Sequence, residues 1–91
     1  NLQMRFKKSR LCGDRALMAA PREDVDLDLD RAEKILSEKG YEIKQNDGLM
    51  LAFTFENLET TLYVQGKVMF FPLNDKTLCT EYATRILEWL L

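Results

Sequence analysis

The chain has 91 residues, 46% apolar and 31% charged, with a formal net charge of −2 and a pI near 5.1. A chain of this size buries only roughly 60–65% of its unfolded surface and supports one hydrophobic core, and its composition excludes a disordered, collagenous or membrane-embedded chain. It has no His, which removes His-dependent acid–base pairs, Ser–His and Cys–His nucleophiles and His-containing zinc sites, and it lacks the glycine-rich loops that cradle phosphates.

Asn1-Leu2-Gln3 read as a cloning remnant ahead of an initiator Met4, and residues 4–91 as a single domain. No apolar run approaches the ~20 residues of a membrane helix, and no basic-then-apolar leader is visible. The expectation is therefore a soluble, cytoplasmic protein with no membrane partner. Met4–Leu11 reads as a weak strand, and Arg15–Ala20, ended by Pro21, as a firmer one. Arg5 to Arg22 carries six basic residues against the single acid Asp14. A charge run of this kind is ordinarily a solvated face.

Cys12 and Cys79 lack metal-type or C-x-x-C spacing and read as apolar fillers or free thiols in a reducing compartment, with a disulfide between them not favoured. Arg10, Arg15 and Lys8 would favour a thiolate at an exposed Cys12, but no base or resolving Cys lies nearby in sequence. The run Asp24-Val25-Asp26-Leu27-Asp28-Leu29-Asp30 offers carboxylates to a hard cation. It fails the calcium-loop pattern, because Leu29 stands where the sharp turn needs Gly and Ile35 where the bidentate Glu belongs. The residues instead suit a half-buried edge strand, or a strand-like approach to a helix, with acids outward and Val and Leu inward.

Asp30 with Glu33 has capping-box spacing, and Gly40 is a stop signal, so a short helix is expected from about Arg31 to Lys39. Four strands follow over Tyr41–Gln45, Leu49–Phe55, Leu58–Gln65 and Lys67–Phe71, separated by Asn46-Asp47-Gly48, Glu56-Asn57 and Gln65-Gly66. Leu49, Leu51, Phe53 and Phe55 share one face and Met50, Ala52 and Thr54 the other, while Leu58, Thr60, Leu62 and Val64 alternate with Glu59, Thr61 and Tyr63. Asn74 or Asp75 caps a last helix whose Leu78, Cys79, Tyr82, Ala83, Ile86, Leu87 and Leu90 form one apolar face. Tyr82 and Trp89 belong to its packing. Phe70 and Phe71 are consecutive, so one of them must leave the core face and mark an interface. The fold class is α+β: a curved antiparallel sheet in the order strand, helix, four strands, helix, with one short and one long C-terminal helix on one face.

Residues from Gly48 to Leu91 resemble one repeat of the TATA-box-binding protein family. The resemblance rests on Gly48-Leu49-Met50, on Thr61-Leu62-Tyr63-Val64-Gln65-Gly66-Lys67-Val68, and on the helix through Ala83, Arg85, Ile86 and Leu87. In that family P-G-L-I, A-L-I-F-x-S-G-K-x-V and A-x-x-x-I occur in the same order at similar spacing. The resemblance implies that Tyr63 stands at the position of a Phe wedge inserted into the minor groove. It also implies that Asn46 and Asp47 replace the Phe and Pro of the other wedge, and that Met69-Phe70-Phe71-Pro72-Leu73 replaces V-x-T-G-A. These departures, with the net negative charge, argue against TATA recognition. The family protein joins two repeats in one saddle, so the resemblance also implies that a homodimer joining two sheets edge to edge would rebuild it.

The expected function is a non-enzymatic module without catalytic, cofactor or metal residues. It would bind a protein partner or a second copy of itself through the sheet face left open, or through an edge, with Tyr63, Lys67, Phe71, Met50 and Met69 as candidate contacts. The rival is a nucleic-acid-binding accessory domain, a role that a similar attachment plays in some type-III ribonuclease H enzymes. Arg5, Lys7, Lys8, Arg10 and Arg15 would then meet phosphates.

Overall fold

Alternation of apolar and polar residues over four consecutive runs demands a sheet with one buried face, and the apolar stripe of the last helix has to cover it. The computed structural model, which describes residues 4–11, 13 and 15–91, has this arrangement. In chain order it contains β1 (Phe6–Leu11), β2 (Ala16–Pro21), α1 (Leu29–Glu38), β3 (Ile43–Asn46), β4 (Met50–Phe55), β5 (Leu58–Tyr63), β6 (Val68–Phe71) and α2 (Lys76–Leu90). One antiparallel six-stranded sheet runs β1-β2-β6-β5-β4-β3. From β2 onward the order is strand, helix, four strands, helix, and β1 adds a sixth strand at the edge through an unbroken six-pair register with β2. Asn1–Gln3, expected to be a cloning remnant, and the thiol of Cys12 lie outside the described residues.

The turns explain the register. Glu56 and Asn57 both have positive φ, 51° and 63°, as a two-residue turn between tightly paired strands requires. At the β5–β6 connection the Gly66 N–H donates to the Tyr63 carbonyl at 2.8 Å. Gly66 has φ +89°, and a Cβ there would meet Val25 Cγ1 at 2.9 Å, so this position is restricted by both conformation and space.

The helices divide the covered face between them. Helix α1 lies over β3 and β4, and α2 over β2 and β1. A wedge of aromatic rings fills the middle. Phe55 stands 5.3 Å from Tyr41 and from Tyr82, 6.2 Å from Trp89 and 6.4 Å from Phe70, centroid to centroid. Arg31 of α1 donates from Nη1 to the carbonyl of Leu90 at 2.8 Å, tying the helices together where the α2 dipole favours a cation.

Two local expectations are corrected. Asp28, not Asp30, caps α1, its Oδ1 accepting from the N–H groups of Asp30 and Arg31. Glu33 does not close a capping box. Its Oε1 accepts from Asn46 Nδ2 at 2.8 Å, because packing α1 beside β3 brings that amide within reach. Of the two readings of the acidic run, the strand-like approach to the helix is the one the structure has: residues 24–28 lead into α1 without joining the sheet, held by a bond from Leu27 N–H to the Val64 carbonyl at 2.8 Å. Its alternation survives without a ladder, since Leu27 and Leu29 are buried and Asp24, Asp26, Asp28 and Asp30 exposed. At α2, Asp75 is the cap.

Candidate interface on the open sheet face

Residues paired directly across antiparallel strands project to the same face. Starting from the buried Leu17, Val68, Phe70, Leu62, Leu51 and Phe53, every alternate residue must point away from the helices. One line of such residues crosses all six strands: Ser9, Met18, Met69, Thr61, Ala52 and Gln45. On one side of it Met50 faces Tyr63, and the Tyr63 N–H donates to the Lys67 carbonyl at 2.9 Å. On the other side Phe71 is paired with Glu59, and the Arg15 guanidinium carbon stands 5.1 Å from the Phe71 ring centroid.

The five candidate contacts Tyr63, Lys67, Phe71, Met50 and Met69 thus share the face that α1 and α2 leave uncovered. Phe70 is buried and Phe71 half-buried, so the consecutive aromatics part as strand geometry requires. Met18, opposite Met69 at the centre, was not singled out by the sequence. Its strand reads Ala-Leu-Met-Ala-Ala, and an all-apolar run carries no alternation from which to assign faces.

The basic candidates are dispersed. Lys7 is on the open face opposite Ala20, while Lys8, opposite Ala19, turns toward α2 and donates from Nζ to Thr80 Oγ1 at 3.1 Å. Arg10 shares the face of Lys8, Arg5 precedes β1, and Arg15 covers Phe71.

Burial pushes the Cys79 thiol up to about 11, against a weaker opposite pull from the Lys8 ammonium, so the thiol stays protonated and poorly nucleophilic at neutral pH. Among the described residues no three Cys, Asp or Glu side chains cluster to hold a metal ion, and no helix is long and apolar enough to cross a membrane. A surface depression of about 520 Å³ lies between Lys8, Lys76, Thr77, Thr80 and Glu81. No protein-family model, curated protein or solved structure matches the chain.

Proposed function

We propose that the chain is a non-enzymatic binding module that pairs its open sheet face with the same face of a second copy. The observation that carries this reading is the set Met18, Met69, Met50, Tyr63 and Phe71, large side chains gathered on a sheet face with no helix over it. Methionine and aromatic side chains there supply adaptable apolar contact.

Charge placement favours a second copy. Lys67 lies on the Tyr63 flank and Glu59 on the Phe71 flank. A two-fold axis along the central line of residues superposes one flank on the other, bringing Glu59 of one copy toward Lys67 of its mate. Six strands about 4.8 Å apart and about 20 Å long present roughly 500 Å² per copy, so a pair buries on the order of 1,000 Å², the lower end for a specific interface. The dimer is accordingly expected to be weak.

The proposal includes a fold of the TATA-box-binding-protein repeat kind. What supports it is the element order from β2 onward and the location of Tyr63, the residue at the wedge position, on the open face. Phosphate binding is less favoured, because strand alternation sends Lys7 and Lys8 to opposite faces.

Sedimentation velocity over about 10 to 500 µM tests the reading. A concentration-dependent shift toward a dimer, abolished by Met69→Glu, is expected at this interface size. A monomer throughout that range, or an unaltered dimer in Met69→Glu, overturns it.

A further inference from the structure

We propose that the free edge of β1 is a docking site for an extended acidic segment of a partner protein, added to the sheet as a further antiparallel strand. This site lies along the sheet edge and does not depend on the pairing of open faces between copies.

Arg22 N–H donates to the Arg5 carbonyl at 2.9 Å, and these two residues continue the register that places Phe6 opposite Pro21. In an antiparallel pair, hydrogen-bonded and non-hydrogen-bonded positions alternate. Lys7, Ser9 and Leu11 therefore bond to β2, and Pro21 sits at a position where its missing N–H is not needed. The N–H and C=O groups of Phe6, Lys8 and Arg10 point out of the sheet, along an edge that among the described residues pairs with β2 alone.

The opposite edge is guarded in ways that β1 is not. Strand β3 has four residues, its register is irregular between Ile43 and Gln45, and it ends at Asn46, whose side chain is held by Asp30 and Glu33 of α1. By contrast β1 has six residues in unbroken register. Short, bulged strands resist an added strand and long regular ones accept it.

Charge selects the occupant. Lys7, Lys8 and Arg10 lie on β1 and Arg5 beside it, and among the described residues none of the four forms a salt bridge. A second copy is a poor fit, since pairing β1 with β1 sets these cations against one another. A phosphate backbone following one surface meets only part of the set, because Lys7 projects to the open face and Lys8 and Arg10 to the helix side. A strand with carboxylates on both of its faces meets all of them while its backbone closes the ladder. This is strand addition, in which main-chain bonds supply affinity and flanking side chains supply selectivity.

The test uses the full chain and a fluorescein-labelled peptide of roughly eight Glu and Val residues, with glutamates on both faces. Binding is expected with a Kd on the order of 100 µM at low salt, weakening roughly tenfold near 0.3 M salt. Amide chemical-shift changes should concentrate at Phe6, Lys8 and Arg10. Arg10→Pro, which removes one outward donor at an edge position that tolerates Pro, should reduce affinity about tenfold. The double variant Lys7→Glu/Arg10→Glu leaves the backbone intact and should reduce it at least as much. Met69→Glu should bind the peptide like wild type, which separates this site from the open face. Equal binding of a peptide N-methylated at alternate residues, binding of a thymidine oligonucleotide in place of the peptide, or no binding at low salt overturns the proposal.

Discussion

The two faces of the sheet are built from the same strands, and both carry large apolar side chains, yet they are finished differently. On the covered face Leu51, Phe53, Phe55, Leu62, Val68 and Phe70 are at most 1% exposed, with the rings locked against Tyr41, Tyr82 and Trp89. On the open face Met18, Met50, Tyr63, Met69 and Phe71 remain half-buried, and the charged neighbours are Lys7, Lys67, Glu59 and Arg15. The contrast teaches that an apolar side chain in a strand does not by itself mean core. What separates the two faces is whether a helix stripe returns to cover them.

The strongest way to break that contrast is to replace one large side chain on each face. Phe55→Ala removes the ring at the centre of the aromatic wedge and is expected to cost about 3–5 kcal/mol, a large share of the stability of a domain this size. Met69→Glu on the open face should change stability by less than about 1 kcal/mol, because Met69 is only half-buried and a carboxylate at its place stays in water. Urea titration of both variants reads the difference. Comparable losses in the two would mean that the open face is part of the folded core.

Next in size is Gly66→Ala, at the turn that joins the two central strands and abuts the lead into α1. The residue has φ +89°, and the new methyl would meet Val25 at 2.9 Å and Pro21 at 3.1 Å. The combined strain and contact are expected to cost about 1–3 kcal/mol, a fall in melting temperature of roughly 5–20 °C at this chain length. A neutral variant would show that the segment carrying Val25 is loosely held. Asp28→Ala should have a smaller effect, about 1 kcal/mol, through loss of the α1 cap. Asp30→Ala, measured beside it, should cost less if Asp28 is the cap.

The sequence made the sheet legible wherever alternation was interrupted by polar residues. Met50, Ala52 and Thr54 separate cleanly from Leu51, Phe53 and Phe55, and the Glu56-Asn57 and Gln65-Gly66 turns fix their partners. The candidate contacts Tyr63, Phe71, Met50 and Met69 are legible as open-face positions because they fall between core positions on those strands, and Lys67 directly precedes β6. Met18 escaped because Ala16–Ala20 is apolar throughout and its facing is set by pairing with β6, a contact remote in sequence. The α1 start lies two residues before the point that capping-box spacing predicts, because four acids alternate there and any of them has the side chain of a cap. Tertiary packing chose Asp28, with Leu27 and Leu29 buried on either side of it.

The smallest expected effect lies at the β3–β4 turn, beyond both faces. The exposed Asp47 accepts through Oδ1 from the N–H groups of Leu49 and Met50, both at 2.9 Å. Those bonds, the one from Met50 first, hold its carboxyl below its ordinary value of 3.8. A carboxyl with a depressed folded-state pKa favours the fold above its unfolded value and loses that contribution as the pH falls through the folded one. Asp47→Ala should therefore melt below wild type at neutral pH, and the gap should close as the pH drops below about 3.8. Paired thermal melts from about pH 7 to about pH 2 follow that gap. A gap that persists unchanged into acid would mean that the turn is held by the φ of +86° at Gly48 and by the Asn46 side chain, whose Oδ1 accepts from the Gly48 N–H at 2.9 Å, rather than by the charged form of Asp47.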